Sequence, residues 1–277
     1  MFQSSCCAAL VLLTGFRLFA QGTAAEPSRG FTWYERFEGS VNSLGAVTRL
    51  DSTVGYNIDS HFSVAGGIPV YFVAASHSAT AVSGTHSFNG IGNAYGEFSL
   101  TLENPVVDFM STITATAPTG DETLGLSTGH VTIDWSNYFE RTFSRLTPFG
   151  EIGFANAVSD TAFFIRPYET FGSIAHWQGG ARYRLTNAVS AAGAVYGVEP
   201  LGKQTLVSRL STLFGPGNID TGSDLSRDHG FSAWAQITPA SHLDFYGGYT
   251  HSTKYALDTV FFGVGVSLGK VLRRWGI

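Results

Sequence analysis

Over residues 104–143 apolar and polar side chains alternate with a period of two, which constrains the fold more than any other feature of the chain. Val107, Phe109, Ile113 and Ala115 share one face, with Asp108, Thr112, Thr114 and Thr116 on the other. Further on, Val131, Ile133 and Trp135 alternate with Thr132, Asp134 and Ser136. A period of two describes β-strands whose two faces meet different surroundings. Each run extends over about 11 residues, enough for a tilted strand to cross a bilayer and about twice the usual soluble strand. Between the runs, Pro118-Thr119-Gly120-Asp121 and Gly125-Leu126-Ser127-Thr128-Gly129 are rich in turn formers. The segment reads as a transmembrane hairpin with a polar connecting loop.

The rest of the chain repeats that unit. About twelve strands can be drawn: 31–38, 46–58, 61–73, 93–103, the two of the hairpin, one after Pro148, then 173–185, 188–198, 228–237, 242–251 and 257–268. Connections after the second, fourth, sixth, eighth and tenth are short, and those after the third, fifth, seventh and ninth are long. Residues 74–91, 159–172 and 199–227 make up three of the long ones. Outer-membrane barrels sort their loops this way, with short periplasmic turns and long outer loops. Unpaired edges are not tolerated in hydrocarbon, so strands of this kind must close. The expected fold is all-β, an antiparallel up-and-down transmembrane barrel of about twelve strands. Tyr56, Trp135, Tyr183 and Tyr249 fall where interfacial aromatic girdles belong.

Composition agrees. Charged residues are 13% of the chain, roughly half the ~25% of soluble domains, while aromatics reach 14%. A net charge of −5 gives no basic footprint for nucleic acid. Residues 1–25 read as an export signal, an apolar run ending in Thr23-Ala24-Ala25, which leaves 26–277 as the barrel. Both cysteines, Cys6 and Cys7, fall in that signal, so no disulfide framework or thiolate metal site is expected. The expected surroundings are the lipid of the outer membrane, reached through the barrel-assembly machinery. The chain runs on past Leu268 as Gly-Lys-Val-Leu-Arg-Arg-Trp-Gly-Ile, where many such barrels stop on an aromatic residue.

The polar faces supply the candidate lumen residues: Arg49, Asp51, Glu97, Asp108, Asp134, Glu151, Arg182, Arg184 and Asp244, with Arg36, Glu103 and Glu140 alongside. Charged groups of both signs on one face read either as a constriction that selects solutes or as ion pairs that fill the barrel. Residues 199–227 can be displayed outward or folded in as a plug.

Two segments resemble the outer-membrane barrels grouped as the meta-pathway phenol-degradation, or transporter-like, family. Pro118-Thr119-Gly120-Asp121 with Leu124-Gly125-Leu126-Ser127-Thr128-Gly129 resembles that family's hairpin loop, with Leu126-Ser127 where its pattern often has a glycine. Gly90-Ile91-Gly92-Asn93 resembles its Gly-x-Gly-Asp strand start, Asn93 replacing the aspartate. The resemblance covers roughly residues 90–142 and implies a barrel that passes small organic compounds. It carries no catalytic residues.

Other chemistry finds little support. The eight histidines are scattered, and His77 and His86, which share a loop, have no third ligand at metal spacing. Asp121 and Glu122 fall short of the six to eight oxygens calcium takes. Gly-x-Ser-x-Gly is absent, and Ser127 near His130 is the closest approach to a nucleophile–base pair. No cofactor and no enzymatic activity are expected. Three readings follow: a passive pore or facilitator for small aromatic or apolar molecules, a closed structural or surface-interaction barrel with displayed loops, and a soluble secreted β-protein.

Overall fold

The computed structural model describes residues 29–75, 87–158, 168–209 and 219–268. The expected export segment, the basic tail after Leu268, and His77 and His86 lie outside them. In chain order the strands are β1 (Gly30–Asn42), β2 (Gly45–Asn57), β3 (Phe62–Ala75), β4 (Phe88–Ile91), β5 (Tyr95–Leu102), β6 (Asp108–Thr116), β7 (Thr132–Glu140) and β8 (Leu146–Val158). They continue as β9 (Tyr168–Arg184), β10 (Val189–Pro200), β11 (Gln204–Ser208), β12 (Ile219–Gly222), β13 (Asp228–Ala240), β14 (Leu243–Ser252) and β15 (Leu257–Ser267). A single 3₁₀ turn, Glu122–Leu124, sits in the β6–β7 connection.

Twelve of these strands close on themselves, antiparallel throughout, in the order β1-β2-β3-β5-β6-β7-β8-β9-β10-β13-β14-β15. The circle is completed where β15 returns to β1, in register from Tyr34↔Ser267 to Val41↔Val260. The other three strands extend the wall at the long-loop end. There β4 pairs with β3, β11 with the start of β9, and β12 with β11. All three fall in stretches that read as plain loops in the sequence: strands of four or five residues are too short to show a period.

Local chemistry fixes the turns. Asp59 Oδ1 accepts the backbone N–H groups of His61 and Phe62 at 2.7 and 2.8 Å, which holds its carboxyl below the usual carboxylate range. Asn104 accepts from Val106 and Val107, and Thr186 Oγ1 from Ala188 and Val189. These are the side-chain-to-backbone turns for which Asp, Asn and Thr are suited. Pro69, which has no N–H to give, stands where β3 changes partner from β5 to β4. In β8 a register shift between Ala155 and Ala157 frees Asn156, whose amide accepts from Ile133 N and donates to Val131 O at the start of β7.

The outward face is an apolar belt. Val54, Ile68, Phe72, Phe98, Ile113, Ile133, Ile152, Phe154, Trp177, Phe231 and Val260 are all exposed, several by more than half. A water-soluble barrel with this surface would aggregate; hydrocarbon is the solvent that suits it. Trp135 belongs to the belt and donates its indole N–H to Ser111 Oγ on the neighbouring strand at 2.9 Å, so its polar edge is satisfied without water.

Candidate functional site: the barrel interior

Inward rows carry charge, arranged as separate networks along the height of the barrel. Arg49 and Asp51, two apart on β2, form an ion pair with both side chains buried. Tyr71 on β3 receives a 3.3 Å hydrogen bond from Arg49. Tyr95 on β5 donates to Asp51 at 3.1 Å and meets Thr53 Oγ1 at 2.7 Å. Beside them Arg36 lies 3.4 Å from Glu38, which also accepts from Tyr246. The Arg36 guanidinium covers the ring of Tyr34, whose hydroxyl donates to Asp244 at 2.8 Å.

A second set lines β7, β8 and β9. His176 bridges Asp134 at 3.1 Å and Glu151 at 3.8 Å. Nearer the short turns, Glu140 accepts from Arg182 at 2.9 Å and from Tyr138 at 2.8 Å. Arg184 is exposed at the mouth and donates to Ser144 O at 2.8 Å. Asp108 stands opposite Glu140 in the β6–β7 register, and Glu97 opposite Thr114 in the β5–β6 register; both are half-buried. Glu103 lies past the end of β5 and is exposed. The candidates thus divide between two walls and several levels instead of forming one ring. Strand tilt and stagger in a barrel separate residues that occupy similar sequence positions.

The β6–β7 loop closes the interior at one level. Asp121 caps the 3₁₀ turn by accepting from the Thr123 hydroxyl and N–H, which holds its carboxyl below the usual range. Gly120 N–H donates to Asn93 Oδ1 and Thr119 Oγ1 to Gly92 O, tying the loop to the start of β5. This joins the two motif segments singled out in the sequence. Gly125 and Gly129 are left-handed, with φ of 68° and 73°, a conformation glycine adopts without steric cost. Leu126 is then fully buried in a cluster with Val47, Tyr71, Val73, Trp234, Tyr246 and Phe261. The interior is therefore more apolar than the period-two pattern implies, because it packs around a loop.

Arg209, which follows β11, meets that loop from the far wall. It pairs with Glu169 of β9, donates to Gly125 O at 3.3 Å, and lies over the Tyr71 ring at 5.0 Å. In the barrel order β3 stands five strands from β9, nearly opposite, so these contacts span the lumen. Arg49, Arg209, Leu126, Gln204 and Glu38 are inaccessible to water or nearly so. Part of the long 199–227 segment thus turns inward, with Arg209 as the residue that reaches the lumen. Arg209 lies in a loop in the sequence, outside any periodic run, so pattern reading could not flag it.

Ser127 and His130 are engaged locally. Ser127 Oγ accepts from Gly129 N at 3.1 Å, while His130 Nδ1 meets Thr128 O at 2.7 Å and its ring stacks on Phe171. Among the described residues no group of three or more His, Cys, Asp or Glu side chains is arranged to hold a metal ion.

Solved structures that share this architecture include an outer-membrane channel and a porin. One, an outer membrane channel from Pseudomonas putida F1, superposes over 87% of this chain and 96% of its own, with a TM-score of 0.60 and 11% identity. The fold is that of an outer-membrane β-barrel. The NanC porin matches over 84% of this chain and 98% of its own, at a TM-score of 0.52 and 8% identity. No family model and no curated protein matches the sequence.

Proposed function

We propose that this protein is an outer-membrane channel, a passive facilitator for small molecules, held closed at one level by the β6–β7 loop and Arg209. The observation that carries this reading is what fills the lumen. A barrel of about eight strands is filled by its own wall side chains; here twelve strands leave room for a chain segment, and a loop docked by a few polar contacts occupies it. Its solved relatives in fold bear the names of channels and porins, which supports transport over catalysis. The Tyr71, Trp234, Tyr246 and Phe261 rings, which share a buried cluster with Leu126 of the loop, favour small aromatic or apolar solutes, in keeping with the resemblance of the 90–142 segment to the meta-pathway phenol-degradation barrels. On this reading the 1–25 segment directs export and the assembly machinery inserts the barrel.

The test is solute flux into liposomes carrying the refolded protein, with folding verified by the mobility difference between unboiled and boiled samples. Leakage of small aromatic solutes with a size cut-off is the expected result. An inserted barrel that passes nothing, even after the loop contacts are broken, would support the closed structural barrel instead.

A further inference from the structure

The apolar belt carries a carboxylate. Glu35 shares its outward row with the exposed Phe31, Trp33 and Phe37; Ser52 lies opposite it on β2, and Ile68 opposite Ser52 on β3. Its partners, Trp33 Nε1 and Ser52 Oγ, both at 2.7 Å, are neutral donors. Glu199 and Asp258 also stand on outward rows, but at the long-loop end, where the first pairs with Arg227 and the second with His251. A carboxylate within the apolar band is costly unless a cation balances it. Glu35 lies towards the short-turn end, beside the seam that closes the barrel: its opposite residue on β15 is Val266. That strand stops one residue later, at Ser267, so β15 does not pair with Gly30–Trp33 at the start of β1. From here the chain runs on, outside the described residues, as Gly269-Lys270-Val271-Leu272-Arg273-Arg274-Trp275-Gly276-Ile277. Lys270 is the first Lys or Arg after Lys254.

We propose that residues 269–277 dock on the lipid side of β1, across the seam, with Lys270, Arg273 or Arg274 paired to Glu35. Opposite charge and reach both favour this occupant. Val266 and Glu35 face each other across the strand pair, about 5 Å apart, and the stretch from Ser267 to Arg273 spans up to about 20 Å. Val271, Leu272 and Trp275 bring apolar and interfacial side chains to the exposed Phe31 and Trp33. The docked segment straps the last strand to the first, and this holds whether or not the barrel conducts. What the pair provides is local order. Released cations extend to the lipid headgroups, so replacing Glu35 by an apolar residue frees the segment even where it stabilises the wall.

The full chain, folded into phosphatidylcholine bilayers that carry no net charge and no primary amine, is treated with trypsin, and loss of residues 271–277 is followed by mass spectrometry. Cleavage after Lys270, Arg273 and Arg274 should be slow in the wild type, at least ten-fold faster in Glu35→Gln, and close to wild type in Glu35→Asp. Equal cleavage of wild type and Glu35→Gln would overturn the docking, and a segment held only by lipid phosphates gives that result. Adding phosphatidylethanolamine should leave the rates unchanged; loss of protection would assign Glu35 to a lipid amine instead. A second measurement keeps Glu35 in place. In a chain with Cys6→Ser and Cys7→Ser, Leu272→Cys should form a disulfide with Phe31→Cys or Phe37→Cys, read as faster migration of the boiled, unreduced chain, and none with Ile113→Cys on β6. A folded barrel that forms neither of the first two disulfides would overturn the proposal.

Discussion

The contact most open to attack is Arg209. In Arg209→Ala the Gly125 carbonyl loses this donor, the Tyr71 ring loses the nearer of the two guanidiniums over it, and Glu169 loses this ion pair. A hydrogen bond from a charged group contributes about 1.5–3 kcal/mol, and at 3.3 Å this one belongs at the lower end. The cation–π contact at 5.0 Å adds about 1 kcal/mol or more in a site without water. Together these weaken docking of the β6–β7 loop by roughly 2–3 kcal/mol, a factor of about 30–150 in the docked-to-undocked ratio at 1.4 kcal/mol per ten-fold. Flux follows the undocked fraction, so it rises by up to that factor and levels off once the undocked state predominates. The assay is single-channel recording beside liposome efflux, with the gel shift as the folding control. Arg209→Lys keeps the charge but not the fork, so it should fall between. A folded Arg209→Ala barrel with unchanged conductance would refute the reasoning, because it would mean the lumen is filled by its walls and the loop adds nothing.

Other perturbations follow the same logic. Gly125→Ala places a Cβ on a left-handed residue against the Ser208 backbone and should open the channel as Arg209→Ala does; normal closure would contradict the docking geometry. The Asp121 carboxyl is held low, so its contribution to loop order is intact above the ordinary carboxylate range, near 3.9, and lost as pH falls through its lower value. Efflux should therefore rise only below about pH 4, and Asp121→Asn, which caps without titrating, should remove that rise. Glu140→Ala strands Arg182 beside Tyr138, and breaking a buried pair costs about 3–5 kcal/mol; the unboiled band should convert to the unfolded one at a clearly lower temperature. On the lipid side, the Glu35 carboxyl accepts from Trp33 Nε1 and Ser52 Oγ, both at 2.7 Å, among apolar neighbours. Glu35→Leu should raise stability in bilayers by about 1 kcal/mol, less than the 2–4 for a lipid-facing Lys or Arg, and a fall in the urea midpoint would show that the polar cluster is needed where it stands.

The wall of this barrel was legible because the membrane imposes it residue by residue. Ile113 and Trp135 must face lipid while Thr112 and Ser136 must not, so the alternation survives in the sequence, and the pairing Ile113↔Trp135 follows from it. Turns were legible for a related reason: Asp59, Asn104 and Thr186 act on backbone groups two or three residues away, inside any reading window. Even Glu35 could have been found, since it shares parity with Phe31, Trp33 and Phe37 and breaks their apolar row.

What fills the wall was far less visible. Leu126 reads as one apolar residue in a polar loop, and nothing local says that it ends among Tyr71, Trp234 and Phe261. Arg209 meets Gly125 across 84 residues of chain, and the partners share no period. The mouth shows the same division. Arg182 and Arg184 announce themselves by alternation, but Arg145 lies in a turn and joins them only because β8 and β9 pair Thr147 with Arg182. A pore's boundary is a repeating problem solved at every strand, whereas its closure and its selectivity are solved once, by residues whose meeting depends on barrel closure. The experiments that decide function are therefore those at Arg209 and Gly125, where the sequence pattern is weakest and the three-dimensional contacts are most specific.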